Sequence, residues 1–148
     1  MGEPILSIER WLQTPLGSYL KAWEQAQCDA IVADLFGYHA LQLGLPDLHT
    51  LQTNRMPHRW LAVAHAPENF ETIPEAETLT PIDFVTDYTA LPFFENSLDL
   101  LVLPHSLELS ADPHATLREA QRVLVPEGKL LIISFNPISL WGFKRWRQ

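Results

Sequence analysis

Two nearly unbroken apolar segments, residues 97–105 (SLDLLVLPH) and 129–135 (KLLIISF), flank a segment with helical spacing. Few folds accommodate that order. A strand that is apolar at successive positions must be covered on both faces, as the strands of parallel sheets are. Residues 112–124, DPHATLREAQRVL, carry a helix start signal, with Asp112 as cap and Pro113 in the first turn. Leu117, Ala120, Val123 and Leu124 form its apolar stripe. Val-Pro-Glu-Gly at 125–128 then turns the chain. Strand, helix and buried strand imply a parallel pair with a right-handed crossover. The second half therefore predicts an open α/β sheet.

Upstream the pattern is less regular. Residues 16–36 space apolar side chains mostly three and four apart. They predict a helix with Leu16, Leu20, Trp23, Ile31 and Leu35 on one face, interrupted by Gln27. Thr14 and Pro15 are its start signal and Gly37 its stop. Residues 39–44 (HALQLG), 59–65 (RWLAVAH) and 82–87 (IDFVTD) predict three more strands. The stretches 45–58 and 66–81 show no helical face and are expected to be irregular. Residues 136–148 predict a last helix, with Asn136 as cap and Pro137 at its first position.

Charged residues are 19% and apolar residues 47% of the 148, so one folded domain over 1–148 is expected: 1–37 helical, 38–148 an α/β sheet. A net charge of −8 argues against nucleic acid as the main partner. Cys28, the single cysteine, excludes an intramolecular disulfide and reads as a small buried apolar residue. No apolar run reaches the roughly 18 residues of a membrane span. The start, MGEPILSIERW, lacks the features of a secretory signal, so a cytoplasmic protein is expected. The six histidines show no close ligand spacing, and no metal is expected.

From Asp87 onward a longer pattern emerges. Asp87, Leu91-Pro92-Phe93, Leu98-Asp99, Leu117-Arg118-Glu119, Arg122-Val123-Leu124 and Pro126-Glu127-Gly128 follow one another. In order and spacing, residues 87–137 resemble the second half of a class I S-adenosylmethionine-dependent methyltransferase domain, of the small-molecule, type 11-like group. The resemblance implies an open, mainly parallel Rossmann-like sheet in the order 3-2-1-4-5. It also implies S-adenosylmethionine as cofactor and a small molecule as substrate. In such sheets ligands bind outside the carboxyl ends of the strands, at the switch point. Here that lies between strand 1, ending at Gly44, and strand 4, ending near His105.

By the same resemblance Gly44, Leu45, His65, Asp87, Tyr88 and Pro104 are candidate cofactor-binding residues. Asp87, ending strand 3, would accept a hydrogen bond from the adenine amino group; taken alone, it reads equally as a turn cap. Gly44 holds the place of the family's glycine-rich loop, where Leu45 adds a side chain and Pro46 removes an N–H. His65 stands at or near the acidic position that ends strand 2, with Glu68 three residues on. A neutral imidazole accepts only one ribose hydrogen bond. His105 is the candidate base for transfer to oxygen or nitrogen, and Glu108 a capping or positioning residue beside it. Glu119 and Arg122 read as a surface or helix-anchoring pair. Residues 136–139, NPIS, resemble the Asn-Pro motif of amino-group methyltransferases but follow strand 5 rather than strand 4. They read as a strand end and a cap.

Three functions stay open: a methyltransferase acting on a small molecule, an inactive interaction module on the same fold, and, more weakly supported, a sheet that binds another small nucleotide-like ligand. The single glycine at 44 and the missing acidic residue at 65 point to the second. The family's sheet continues past strand 5. The chain is therefore expected either to be a shortened piece or to cover strand 5 with its last helix and a second subunit, as a homo-oligomer. Trp141, Phe143 and Trp146 beside Lys144, Arg145 and Arg147 read as a packing or dimer surface rather than an interfacial membrane helix.

Overall fold

The structure is a computed structural model that describes residues 14–65, 81–108 and 110–134. The expected last helix, the NPIS segment, the aromatic and basic tail and Glu68 lie outside the described residues. The elements follow the order α1 (Pro15–Val32), β1 (His39–Leu43), β2 (His58–Val63), β3 (Phe84–Val85), β4 (Leu98–Pro104), α2 (Pro113–Val123) and β5 (Leu124–Ile133). The strands form one sheet in the order β3-β2-β1-β4-β5, with every neighbouring pair parallel. That is the order 3-2-1-4-5 of the methyltransferase-like α/β sheet.

Alternate residues of β4 serve opposite faces. Leu100 and Val102 pack with Cys28 and Val32 of α1, together with Leu48, Leu51 and Met56 from the segment after β1. Leu101 and Leu103 pack with Ala120 and Val123 of α2. The unbroken apolar run in β4 thus reflects burial on both sides. α2 begins where its signal lies, with the Asp112 carboxylate accepting from Ala115 N–H at 3.0 Å. It ends at Val123, and the chain enters β5 at once. The expected Val-Pro-Glu-Gly turn is instead an irregularity within β5. Leu98 pairs with Leu124 and Leu100 with Lys129, leaving 125–128 opposite one residue. A Cβ on Gly128 would meet the carbonyl oxygens of Val125 at 3.0 Å and Leu98 at 3.2 Å, which explains the glycine.

α1 departs further from expectation. Thr14 does cap it, accepting from Gly17 N–H at 3.1 Å. The helix stops at Val32, not near residue 36, because Asn54 takes over its last carbonyls. The Asn54 amide donates to Val32 O at 2.9 Å and Leu35 O at 3.1 Å. Gly37 belongs to the entry of β1, where the Asp99 carboxylate accepts from the N–H groups of Tyr38 and His39. The buried residues of the helix are Gly17, Glu24, Cys28 and Val32, whereas Leu16 is 66% exposed and Trp23 41%. Ile31 and Leu35 of the expected face do pack against the core, so the inner stripe overlaps the expected one and is rotated away from Leu16 and Trp23 toward Glu24.

The segment after β1 is organised by polar side chains. Gln42, buried in β1, donates through Nε2 to the carbonyls of Gly44, Leu45 and Leu48 at 2.8, 3.0 and 2.9 Å. Its Oε1 accepts from the backbone and hydroxyl of Thr50 at 3.2 and 2.7 Å. No helix among the described residues is long and apolar enough to cross a membrane.

Candidate functional site at the carboxyl ends of the strands

β1 and β4 are neighbours whose outgoing chains separate, β1 toward β2 and β4 toward β5. Both leave the sheet through left-handed backbone. Gly44 has φ +92°, Leu45 +49° and His105 +58°. Leu45 and His105 are two bulky residues in a conformation that bulky residues seldom adopt, and such strain gathers at functional sites.

Gly44 N–H donates to Ala62 O at 2.8 Å, tying the end of β1 to β2. A Cβ on Gly44 would lie 3.0 Å from the Tyr88 hydroxyl and 3.4 Å from Ser106 Oγ. The left-handed φ, more than these oxygens, is what a side chain at Gly44 would find difficult; the Tyr88 hydroxyl would have to give by a few tenths of an ångström. The Leu45 side chain turns into the α1-side core, where it is 9% exposed. The Ser106 hydroxyl donates to Leu43 O, clamping the turn after β4 onto the end of β1.

Tyr88 reaches the same place from the turn after β3. Burial pushes its hydroxyl pKa well above the ordinary phenol value, against a smaller opposing effect of a backbone hydrogen bond from Ala64. Asp87, beside it, is exposed. Its Oδ1 accepts from the Thr89 hydroxyl at 2.7 Å and the Thr89 N–H at 2.9 Å. These bonds, the hydroxyl first, hold the carboxyl below its usual range. Asp87 thus caps the turn while presenting a carboxylate to solvent. Glu119 on α2 fixes the far side of the turn by accepting from Leu91 N–H at 2.6 Å, and Arg122 donates to Leu91 O at 3.1 Å. The Glu119–Arg122 pair therefore anchors a loop. His65 is exposed just past β2. Pro104 is the buried last residue of β4.

His105 is 1% exposed and Glu24 2%. Its Nε2 lies 2.8 and 3.0 Å from the two carboxylate oxygens of Glu24 on α1. Its Nδ1 lies 3.4 Å from both oxygens of Glu108. Burial alone would disfavour the imidazolium, but the hydrogen bond and charge of Glu24, joined by Glu108, outweigh it and raise the His105 pKa. The ring thus faces carboxylates rather than an open cleft.

Gly44, Ser106 and Tyr88 meet at the end of β1, while Asp87 and His65 are exposed past the ends of β3 and β2. Sequence reasoning missed Glu24, Gln42 and Ser106. Glu24 and Gln42 are polar residues inside apolar elements, and that interruption was the available signal. Among the described residues no three His, Cys, Asp or Glu side chains are grouped to hold a metal ion.

Residues 46–132 match a family model described as a methyltransferase domain. The uncharacterized protein YafS of Escherichia coli is 31% identical over 144 residues, covering 97% of this chain and 55% of YafS. Malonyl-[acyl-carrier protein] O-methyltransferase 1 of Coxiella burnetii is 43% identical over 56 residues, covering 38% of this chain and 20% of that protein. Among solved structures, the complex between the Haloferax volcanii Trm112 methyltransferase activator and a candidate methyltransferase matches with a TM-score of 0.61 at 25% identity. That match covers 84% of this chain and 57% of the other. A SAM-dependent methyltransferase from Aquifex aeolicus matches with a TM-score of 0.58 at 17% identity, covering 86% and 71%, a likeness of fold. The chain thus spans about half the length of YafS, and still less of the Coxiella enzyme. Nothing in these matches favours the inactive-module alternative.

Proposed function

We propose that this chain, which belongs to the methyltransferase domain family, carries an S-adenosylmethionine-dependent methyltransferase domain acting on a small molecule. The observation that carries this reading is the left-handed turn at Gly44 and Leu45, where the chains leaving β1 and β4 part. There the bare backbone of Gly44 accommodates the Tyr88 hydroxyl at a distance that would be tight for a Cβ. A cofactor's polar chain requires the same close approach. The exposed Asp87 carboxylate, with one oxygen committed to Thr89, fits an amino-group donor at the end of β3. The residues present therefore fit the cofactor.

Gly44 and Leu45 would line the methionine portion through their backbone, with Pro104 beneath, and Asp87 and Tyr88 would hold the adenine side. His65, exposed past β2, would approach the ribose. The cofactor, when bound, supplies an electrophilic methyl group on a sulfonium. The chain's own contribution is orientation and exclusion of water, the largest lever for a direct transfer. His105, buried and bonded to Glu24, would hold the end of β4 in place rather than meet the acceptor. Calorimetric titration with S-adenosylhomocysteine tests this reading. Binding is expected, and Asp87→Ala is expected to weaken it at least about tenfold, one lost charge-assisted hydrogen bond. No heat at millimolar ligand would sink it.

We also assign the chain to the cytoplasm, as one folded domain that self-associates along β5. β5 is an outer strand among the described residues, and an outer strand offers unpaired backbone groups to a second copy. Sedimentation at high micromolar concentration should show a species larger than the monomer; monomer alone would rule the assembly out.

A further inference from the structure

The side chain of Tyr88 reaches from the turn after β3 across the ends of two further strands. Its ring packs against the α2-side cluster that contains Leu41, Leu43 and Ala62. Its hydroxyl accepts a hydrogen bond from the Ala64 N–H, just past β2. The same oxygen lies 3.0 Å from where a Cβ of Gly44 would stand, at the end of β1. These are the carboxyl ends at which an open α/β sheet receives its ligand.

The phenol oxygen therefore holds two places that a ligand with a polar chain would use. One is the bare backbone of Gly44, and the other is a backbone donor at the end of β2. Close packing does not allow both oxygens there at once. The turn that carries Tyr88 is meanwhile fixed through its neighbours. The Asp87 carboxylate accepts from the Thr89 hydroxyl and N–H at 2.7 and 2.9 Å. Ala90 N–H donates to Asp87 O at 3.0 Å. Glu119 and Arg122 hold the N–H and carbonyl of Leu91. Because these bonds run through residues on either side, the ring can turn about χ1 with the loop intact.

We propose that Tyr88 is a latch on the cofactor site. In the free chain its hydroxyl occupies the Ala64 N–H and the Gly44 backbone, and the ring swings aside when S-adenosylmethionine or S-adenosylhomocysteine enters. This rests on the reading of the chain as a cofactor-binding methyltransferase domain. The Ala64 N–H passes from the phenol to an oxygen of the ligand, so the donor is satisfied in both states. Asp87 keeps its place because the turn does not move. The open form is the minor one in the free chain, and the apparent dissociation constant exceeds the intrinsic one by the inverse of its population.

Titration of the full chain with S-adenosylhomocysteine, beside Tyr88→Phe and Tyr88→Ala, tests the latch. Tyr88→Phe keeps the ring but leaves the Ala64 N–H without its partner in the closed form. It should bind the ligand severalfold tighter, the scale of one neutral hydrogen bond. Tyr88→Ala removes the ring as well and should bind at least about tenfold tighter, as for a chain whose open form is about one part in ten. Amide hydrogen exchange supplies a reading without ligand: Ala64 should exchange slowly in the unsubstituted chain and faster in Tyr88→Phe. If Tyr88→Ala does not fold, the Tyr88→Phe comparison decides alone. An unsubstituted chain that binds as tightly as Tyr88→Phe, or more tightly, overturns the inference, because the phenol is then a fixed wall or a ligand contact. Equal Ala64 exchange in the two chains overturns it as well. Absence of binding by all three chains fails the functional reading and takes the latch with it, whereas binding without a gain in either variant fails the latch alone.

Discussion

The two halves of the described molecule are held together by different chemistry. From β4 to β5, alternating leucines seat the strands between α1 and α2, and a capped helix joins them. From α1 to β2, the backbone is wired by buried polar side chains. Gln42 serves five backbone and hydroxyl groups, Asn54 the end of α1, and Glu24 the turn after β4. Apolar packing tolerates a change of shape by relaxing, whereas a polar hub is either satisfied or leaves several buried groups unpaired. The sheet half is thus a scaffold, and the wired half sets where Gly44 and His105 stand.

The largest expected effects test that division. Leu101→Ala empties a fully buried site in β4 and should cost about 3–4 kcal/mol of stability. The affinity of the remaining folded protein for S-adenosylhomocysteine should stay unchanged. Gln42→Leu keeps the volume but strands the carbonyls of Leu45 and Leu48 and the N–H of Thr50, and should cost about 3 kcal/mol. It should also weaken binding severalfold, because the chain after Gly44 loses its anchor. Urea unfolding followed by titration of both variants separates the two cases. Equal binding losses would break the comparison.

The same division explains what the sequence disclosed. The parallel pair of β4 and β5 was legible because burial on both faces writes itself as uninterrupted apolar runs, α2 through its Asp112-Pro113 start, and the strand order only through the family resemblance. Asp87 and the Leu-Pro-Phe turn were legible because their spacing repeats a family pattern. The register of β5 was not, since Pro126 and Gly128 in a strand irregularity read like a turn. Neither were Gln42 and Glu24, because a polar residue in an apolar stripe reads as a defect until its partners, 8 and 81 residues away for Thr50 and His105, are placed. His105 was singled out correctly as a strand-end residue. Its burial between two carboxylates depends on α1, which contributes the distant partner.

The smallest effect concerns the outer face of α1. Apolar spacing alone puts Leu16 and Trp23 inward, yet both are exposed, and the inward positions are Gly17, Glu24 and Cys28. If that rotation holds, Leu16→Glu should change stability by no more than about 0.5 kcal/mol, as substitutions at exposed sites do. The introduced carboxylate would also sit in the first turn, where the helix dipole favours negative charge. Thermal unfolding would decide the matter. A loss of 2 kcal/mol or more, the scale of a buried leucine, would put Leu16 in the core. It would return α1 to the face its apolar residues indicate and separate Glu24 from His105. A null result, beside a large loss for Gln42→Leu, would place the wired half's stability in its buried polar groups rather than in the apolar stripe that its sequence displays.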